Sequence, residues 1–142
     1  MTGSLATAVA VTFVWLGMVL AISFLEAPLK FRAPGVTVQI GLGIGRLVFR
    51  ALNGIEGVLA VVLLVAVVVG APPTSALVAA LVAIVALLVQ LVGVRPSLNK
   101  RTAAVLAGED SGSRSRGHHV YIVFEVLKVI ALLVGGILLL GG

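Results

Sequence analysis

The chain has 142 residues, 61% of them hydrophobic and only 11% charged, with ten Lys and Arg against five Asp and Glu. A soluble domain of ordinary make-up carries about 25% charged residues and a small one has the most surface to cover with them, so the medium around this chain is largely lipid. The absence of cysteine excludes disulfides, thiolate metal sites and cysteine nucleophiles, and the basic balance, which no nucleic-acid-binding motif accompanies, first reports membrane topology.

Residues 5–25 form the first apolar run, long enough for a hydrocarbon core that takes about 20 helical residues. Trp15 and Gly17 lie within it. A signal peptide would want a basic lead and a shorter apolar core; here no Lys or Arg precedes Lys30. Residues 26–35, EAPLKFRAPG, are expected to end that helix, with Pro28 and Pro34 as breakers and Lys30 and Arg32 as basic anchors. Residues 36–50 read as an interfacial helix or a helical lead-in to the second span. The alternating Gly41, Gly43 and Gly45 mimic part of a dinucleotide fingerprint, but no strand or βαβ unit surrounds them, so close helix packing or a hinge is the better reading.

The second span covers residues 54–69, and the uncharged turn Gly70-Ala71-Pro72-Pro73 leads into a third at 75–94. A polar, Gly/Ser/Arg-rich connection occupies 95–119, and the fourth span is 120–140. The expected fold is all-α: a transmembrane four-helix bundle in one integral membrane domain, with polar loops at 26–53 and 95–119. The Lys and Arg fall between spans one and two (Lys30, Arg32, Arg46, Arg50) and between three and four (Arg95, Lys100, Arg101, Arg114, Arg116), with Lys128 just inside span four. The positive-inside bias places both basic loops in the cytoplasm and both termini outside. The halves also look alike: an apolar span, a proline with nearby basic residues, then a span with a glutamate in its first turns. Such a parallel repeat of two helical hairpins puts Glu56 and Glu125 at matching depth.

Candidate polar residues cluster toward the basic end. Arg46, Arg50 and Asn53 recur at i, i+4, i+7 and form one stripe on a helix, with Glu56 one turn on. His118, Tyr121, Glu125 and Lys128 make a second stripe at i, i+3, i+7, i+10. A carboxylate inside a span is costly unless paired, which makes Glu125 a functional candidate with Lys128, Arg46 or Arg50 as partner. The plainer reading is an ion-pair clasp that fixes helix register, and Lys128 can also snorkel to the near interface. Glu56 has the same two readings, with Asn53 and Arg50 as clasps from its own helix. Gln90 reads as interhelical hydrogen-bonding glue, and Glu26 as a helix-end acid near the interface. His118 and His119 point about 100° apart on a helix; they suit interface anchors better than zinc or haem ligands. No cofactor motif, P-loop, nucleophile elbow or HExxH is present.

The stretch VWLGMVLAISFLEAPLKFRAPG followed by GRLVFRALNGIEGVLA, with Trp15, Gly17, Pro28, Phe31, Gly45 and Phe49, resembles a group of small uncharacterised bacterial four-span inner-membrane proteins. The resemblance covers the first half of the chain. It implies a four-helix bundle in the bacterial inner membrane and carries no catalytic residue across. The functional expectation is a small transport or permeation protein with a charged cluster at the cytoplasmic end. Four short spans leave little room for a private cavity, so the expected partners are lipid and a second copy or another membrane protein. The alternatives are a membrane scaffold or accessory subunit, and an intramembrane lipid-modifying enzyme marked by a groove opening at Glu125.

Overall fold

The computed structural model describes residues 2–94 and 116–141, and among them there is helix and no strand. Four helices are long and apolar enough to cross a membrane. The first, α1, covers Gly3–Arg32; α2 covers Val38–Gly70; α3 covers Thr74–Val89 and continues as a π-helical turn, Gln90–Val94; α4 covers Arg116–Gly141. An all-α membrane bundle is therefore what the chain builds. Helices satisfy every backbone group internally, which lipid demands, and the exposed large hydrophobic side chains along all four are mostly Val, Leu and Ile.

Two boundaries differ from the sequence expectation. The first helix does not stop at Glu26. Residues Leu20–Glu26 are wound as a π-helix, and the chain runs on through Ala27–Leu29 to a 3₁₀ turn at Lys30–Arg32. Pro28 cannot donate to the carbonyl four residues back and its ring crowds that carbonyl in a regular α-helix; the wider π turn before it relieves both problems. The lead-in at 36–50 and the second span are one unbroken helix, starting from a Thr37 N-cap whose side chain accepts from the amide of Ile40. Nothing between Val38 and Gly70 breaks a helix, because its glycines are isolated rather than paired with proline. The helix ends at Ala71, which adopts the left-handed conformation (φ 47°) and returns its amide to the Val67 carbonyl, just before two prolines that cannot continue it. The basic connection at 95–115 lies outside the described residues.

Packing is tightest between α3 and α4. One face of α3 presents Ala76, Ala79, Ala80, Ala83 and Ala86, all buried. Gly135 of α4 meets that face so closely that an added Cβ would lie 3.2 Å from the Ala79 Cβ. Small residues on both sides let the backbones approach, which is how helices associate in lipid. On the other side of α4, Gly136 leaves room for the ring of Phe13 from α1. α1 also packs along α2, where Trp15, Leu16 and Val19 meet Ala60, Leu63 and Val67 in the common core. The helices thus form a ring in the order α2, α1, α4, α3, and α2 faces α4 across its centre.

Candidate functional site

Across that centre lies a buried ionic cluster. Lys128 of α4 donates to Glu56 Oε2 of α2 at 2.6 Å and pairs with Glu125 Oε1, one turn back on its own helix, at 2.5 Å. All three side chains are closed to solvent: Lys128 and Glu56 are 0% exposed and Glu125 1%. Each carboxylate takes further donors. The indole Nε1 of Trp15 in α1 donates to Glu56 Oε2 at 2.7 Å. The hydroxyl of Ser23, inside the π-helical turn of α1, donates to Glu125 Oε2. Gln90, at the start of the π-helical turn of α3, donates from Nε2 to Glu125 Oε1 at 2.9 Å and to the Tyr121 carbonyl at 3.2 Å. Every helix of the bundle therefore contributes to one site, and both π turns supply a donor to it. Irregular turns of this kind recur at functional positions in helices.

The cluster occupies one level of the bundle. Counting helical residues at 1.5 Å each, Glu56 is about 21 Å from Gly70, Lys128 about 20 Å from Gly141, Gln90 about 24 Å from Thr74 and Trp15 about 18 Å from Gly3. In a hydrocarbon core about 30 Å thick, this is roughly 10 Å from the opposite face. That face is the one that carries Lys30, Arg32, Arg46 and Arg50. There Lys30 sits 3.9 Å from Glu26 and lies over the rings of Phe31 and Phe49 at 5.5 and 5.7 Å. Phe49 in turn meets Tyr121 edge-on at 5.9 Å. Gly45 lets the lysine lie close against α2, since a Cβ there would come within 2.6 Å of the Lys30 Nζ. Aromatic and cationic groups thus form a floor beneath the cluster.

Glu56, Gln90, Tyr121, Glu125 and Lys128 are brought together, and all five are buried. Among the partners expected for Glu125, the bundle uses Lys128. The lysine does not snorkel; it is held between two carboxylates. Arg46 and Arg50 are exposed and stand apart from the cluster. At about 100° per residue, Glu56 is turned roughly 80° from Arg46 and 120° from Arg50 around α2, so the arginines look outward while the acid looks in. Asn53 is half-buried one turn below Glu56, and the clasp on Glu56 comes from Trp15 and Lys128 instead. The backbone of His118 belongs to α4, and its side chain lies outside the described residues; His119 is exposed.

Trp15 and Ser23 are the side chains of the cluster that spacing does not point to. A signal for Trp15 exists: an indole in mid-span, far from the interface where tryptophan usually rests, still needs an acceptor for its N–H. Ser23 leaves no such mark. A groove of about 550 Å³ lies at the far end of the bundle, lined by Gly3, Ser4, Thr7, Val61, Val65 and Val69 among others. It is apolar and does not reach the cluster. Comparison with protein-family models, with curated proteins and with solved structures gave no match.

Proposed function

We propose that the chain is a small transport or permeation protein of the bacterial inner membrane, and that the Glu56–Lys128–Glu125 cluster is the site through which it works. One observation carries this reading: three ionisable side chains, drawn from both halves of the sequence and buried to 1% exposure or less, sit well inside the hydrocarbon depth. Ionisable groups at such depth are expensive and mark ion or substrate pathways. A clasp needed only for register would be served by a neutral pair, whereas this cluster holds two acids for one base. The distribution of Lys and Arg supports a topology with both termini outside and the cluster near the cytoplasmic face. The apolar flanks of all four helices leave surface for a second copy. The first-half resemblance to small bacterial four-span proteins supports the same location.

The test is electrical. Purified protein is reconstituted into liposomes on a solid-supported membrane, and currents are recorded on concentration steps of H⁺, Na⁺, K⁺ and Cl⁻. Wild type is expected to give a current on at least one step that disappears in Glu56→Gln. Currents no larger than those of protein-free liposomes on every step would refute the proposal.

A further inference from the structure

The two carboxyls of the cluster are not equivalent. Glu125 is saturated: its Oε1 accepts from Lys128 and Gln90, and its Oε2 accepts from Ser23. Glu56 uses one oxygen only. Its Oε2 takes both the Trp15 indole and the Lys128 ammonium, while its Oε1 is buried with no hydrogen-bond partner among the described residues. The Oε1 of Gln90 is likewise buried and unpartnered. Turning that amide round does not help, because its Nε2 already serves two acceptors, Glu125 Oε1 and the Tyr121 carbonyl. Among the described residues the cluster is also one positive charge short, with two carboxyls around one ammonium. A missing charge and a missing donor therefore fall on the same residue, in a setting where an uncompensated charge and an unpaired acceptor are both costly.

We propose that Glu56 is the binding site for one exchangeable proton, carried on Oε1, beside a fixed Glu125–Lys128 ion pair. This deepens the transport reading, on which it rests, by naming the ion. The step is a plain protonation: a lone pair of Oε1 forms the O–H bond, and the proton leaves to water when the site opens. The groups facing Glu56 are Trp15 from α1 and Lys128 and Glu125 from α4, with Gln90 of α3 reaching it through Glu125. The Glu26–Lys30 pair lies nearer the basic face. An alkali cation would balance the same charge, but it must exchange a shell of waters for as many protein oxygens. Among the described side chains the cluster offers two unpartnered oxygens, on Glu56 and Gln90. A proton needs one.

The experiment reads the proton directly, in detergent, with no transport involved. Infrared spectra of the full chain at neutral pH are compared in H₂O and D₂O. Wild type is expected to show a protonated-carboxyl C=O band that shifts in D₂O, is lost in Glu56→Gln, moves in Glu56→Asp and persists in Glu26→Gln. Trp15 is the chain's only tryptophan, so its emission reports the same carboxyl and is expected to be indifferent to replacing choline with Na⁺ or K⁺. A wild-type spectrum without the band overturns the proposal. So does a band that survives in Glu56→Gln, or an emission that follows Na⁺ or K⁺. Should Glu56→Gln fail to fold, the wild-type band and its displacement in Glu56→Asp decide. A band without any current removes transport and leaves the proton on Glu56; a current without the band removes the proton and leaves transport.

Discussion

Replacing Lys128 with methionine keeps the length and most of the volume of the side chain and removes its charge. In the wild type the ammonium lies 2.6 Å from one carboxylate and 2.5 Å from the other. At an effective dielectric constant of 20, the Glu125–Lys128 pair is worth about 6 kcal/mol of Coulomb energy, most of which is offset by desolvation, and the ammonium also donates a hydrogen bond to Glu56. Removing the shared partner deletes both attractions and leaves two buried acids facing each other. The expected loss is about 3–5 kcal/mol, the range for breaking a buried pair by removing one member. Reversible unfolding in mixed detergent micelles measures it. Adding Glu56→Gln and Glu125→Gln to the same chain removes the stranded acids, and the triple variant is expected to recover at least about 2 kcal/mol of the loss, since contacting residues depart from additivity by this order. A loss below about 1 kcal/mol for Lys128→Met, or a triple variant that is the sum of its parts, would refute the picture of one closed charge network.

Trp15→Phe keeps the ring packing but removes the N–H donor to Glu56, and a loss of about 1–3 kcal/mol is expected in the same unfolding assay, as for a buried acceptor to a charged group left short of a donor. Gly136→Ala places a Cβ 2.7 Å from the Phe13 ring, and the crowded core is expected to lose about 1–3 kcal/mol; pairing it with Phe13→Leu is expected to restore most of that, read as the midpoint of thermal unfolding.

Much of the architecture was legible because lipid imposes a coarse code. Continuous aliphatic runs and prolines located all four helices, and a single lysine beside a glutamate in the fourth run located half of the ionic cluster. The sequence puts Glu56 and Glu125 each in the first turns of a span, and in the structure the two acids meet the same ammonium. Faces were harder. In a span where nearly every residue is Val, Leu, Ile or Ala, inside and outside look alike, and a polar stripe such as Arg46–Arg50–Asn53 shows only that its members lie near one another. The inward direction was set by Trp15, Ala60 and Leu63 packing across α1 and α2, a pairing that spacing does not contain. Ser23 was illegible for a different reason. It lies in a π-wound turn, where the 3.6-residue period that carries face information no longer holds.

The level of the cluster has an electrical meaning. A transmembrane potential acts on a charge in proportion to the fraction of the voltage drop it crosses, and a full crossing is worth about 2.3 kcal/mol per 100 mV. A site about 20 Å from one face of a hydrocarbon core about 30 Å thick stands roughly two-thirds of the way through the field. Loading one elementary charge there from the Gly70 face therefore changes by about 1.5 kcal/mol per 100 mV, close to a tenfold change in occupancy, and loading from the basic face by about half as much. The same four helices that hide Glu56, Glu125 and Lys128 from water thus hold them at a level where the membrane voltage acts unequally on a charge approaching from either face.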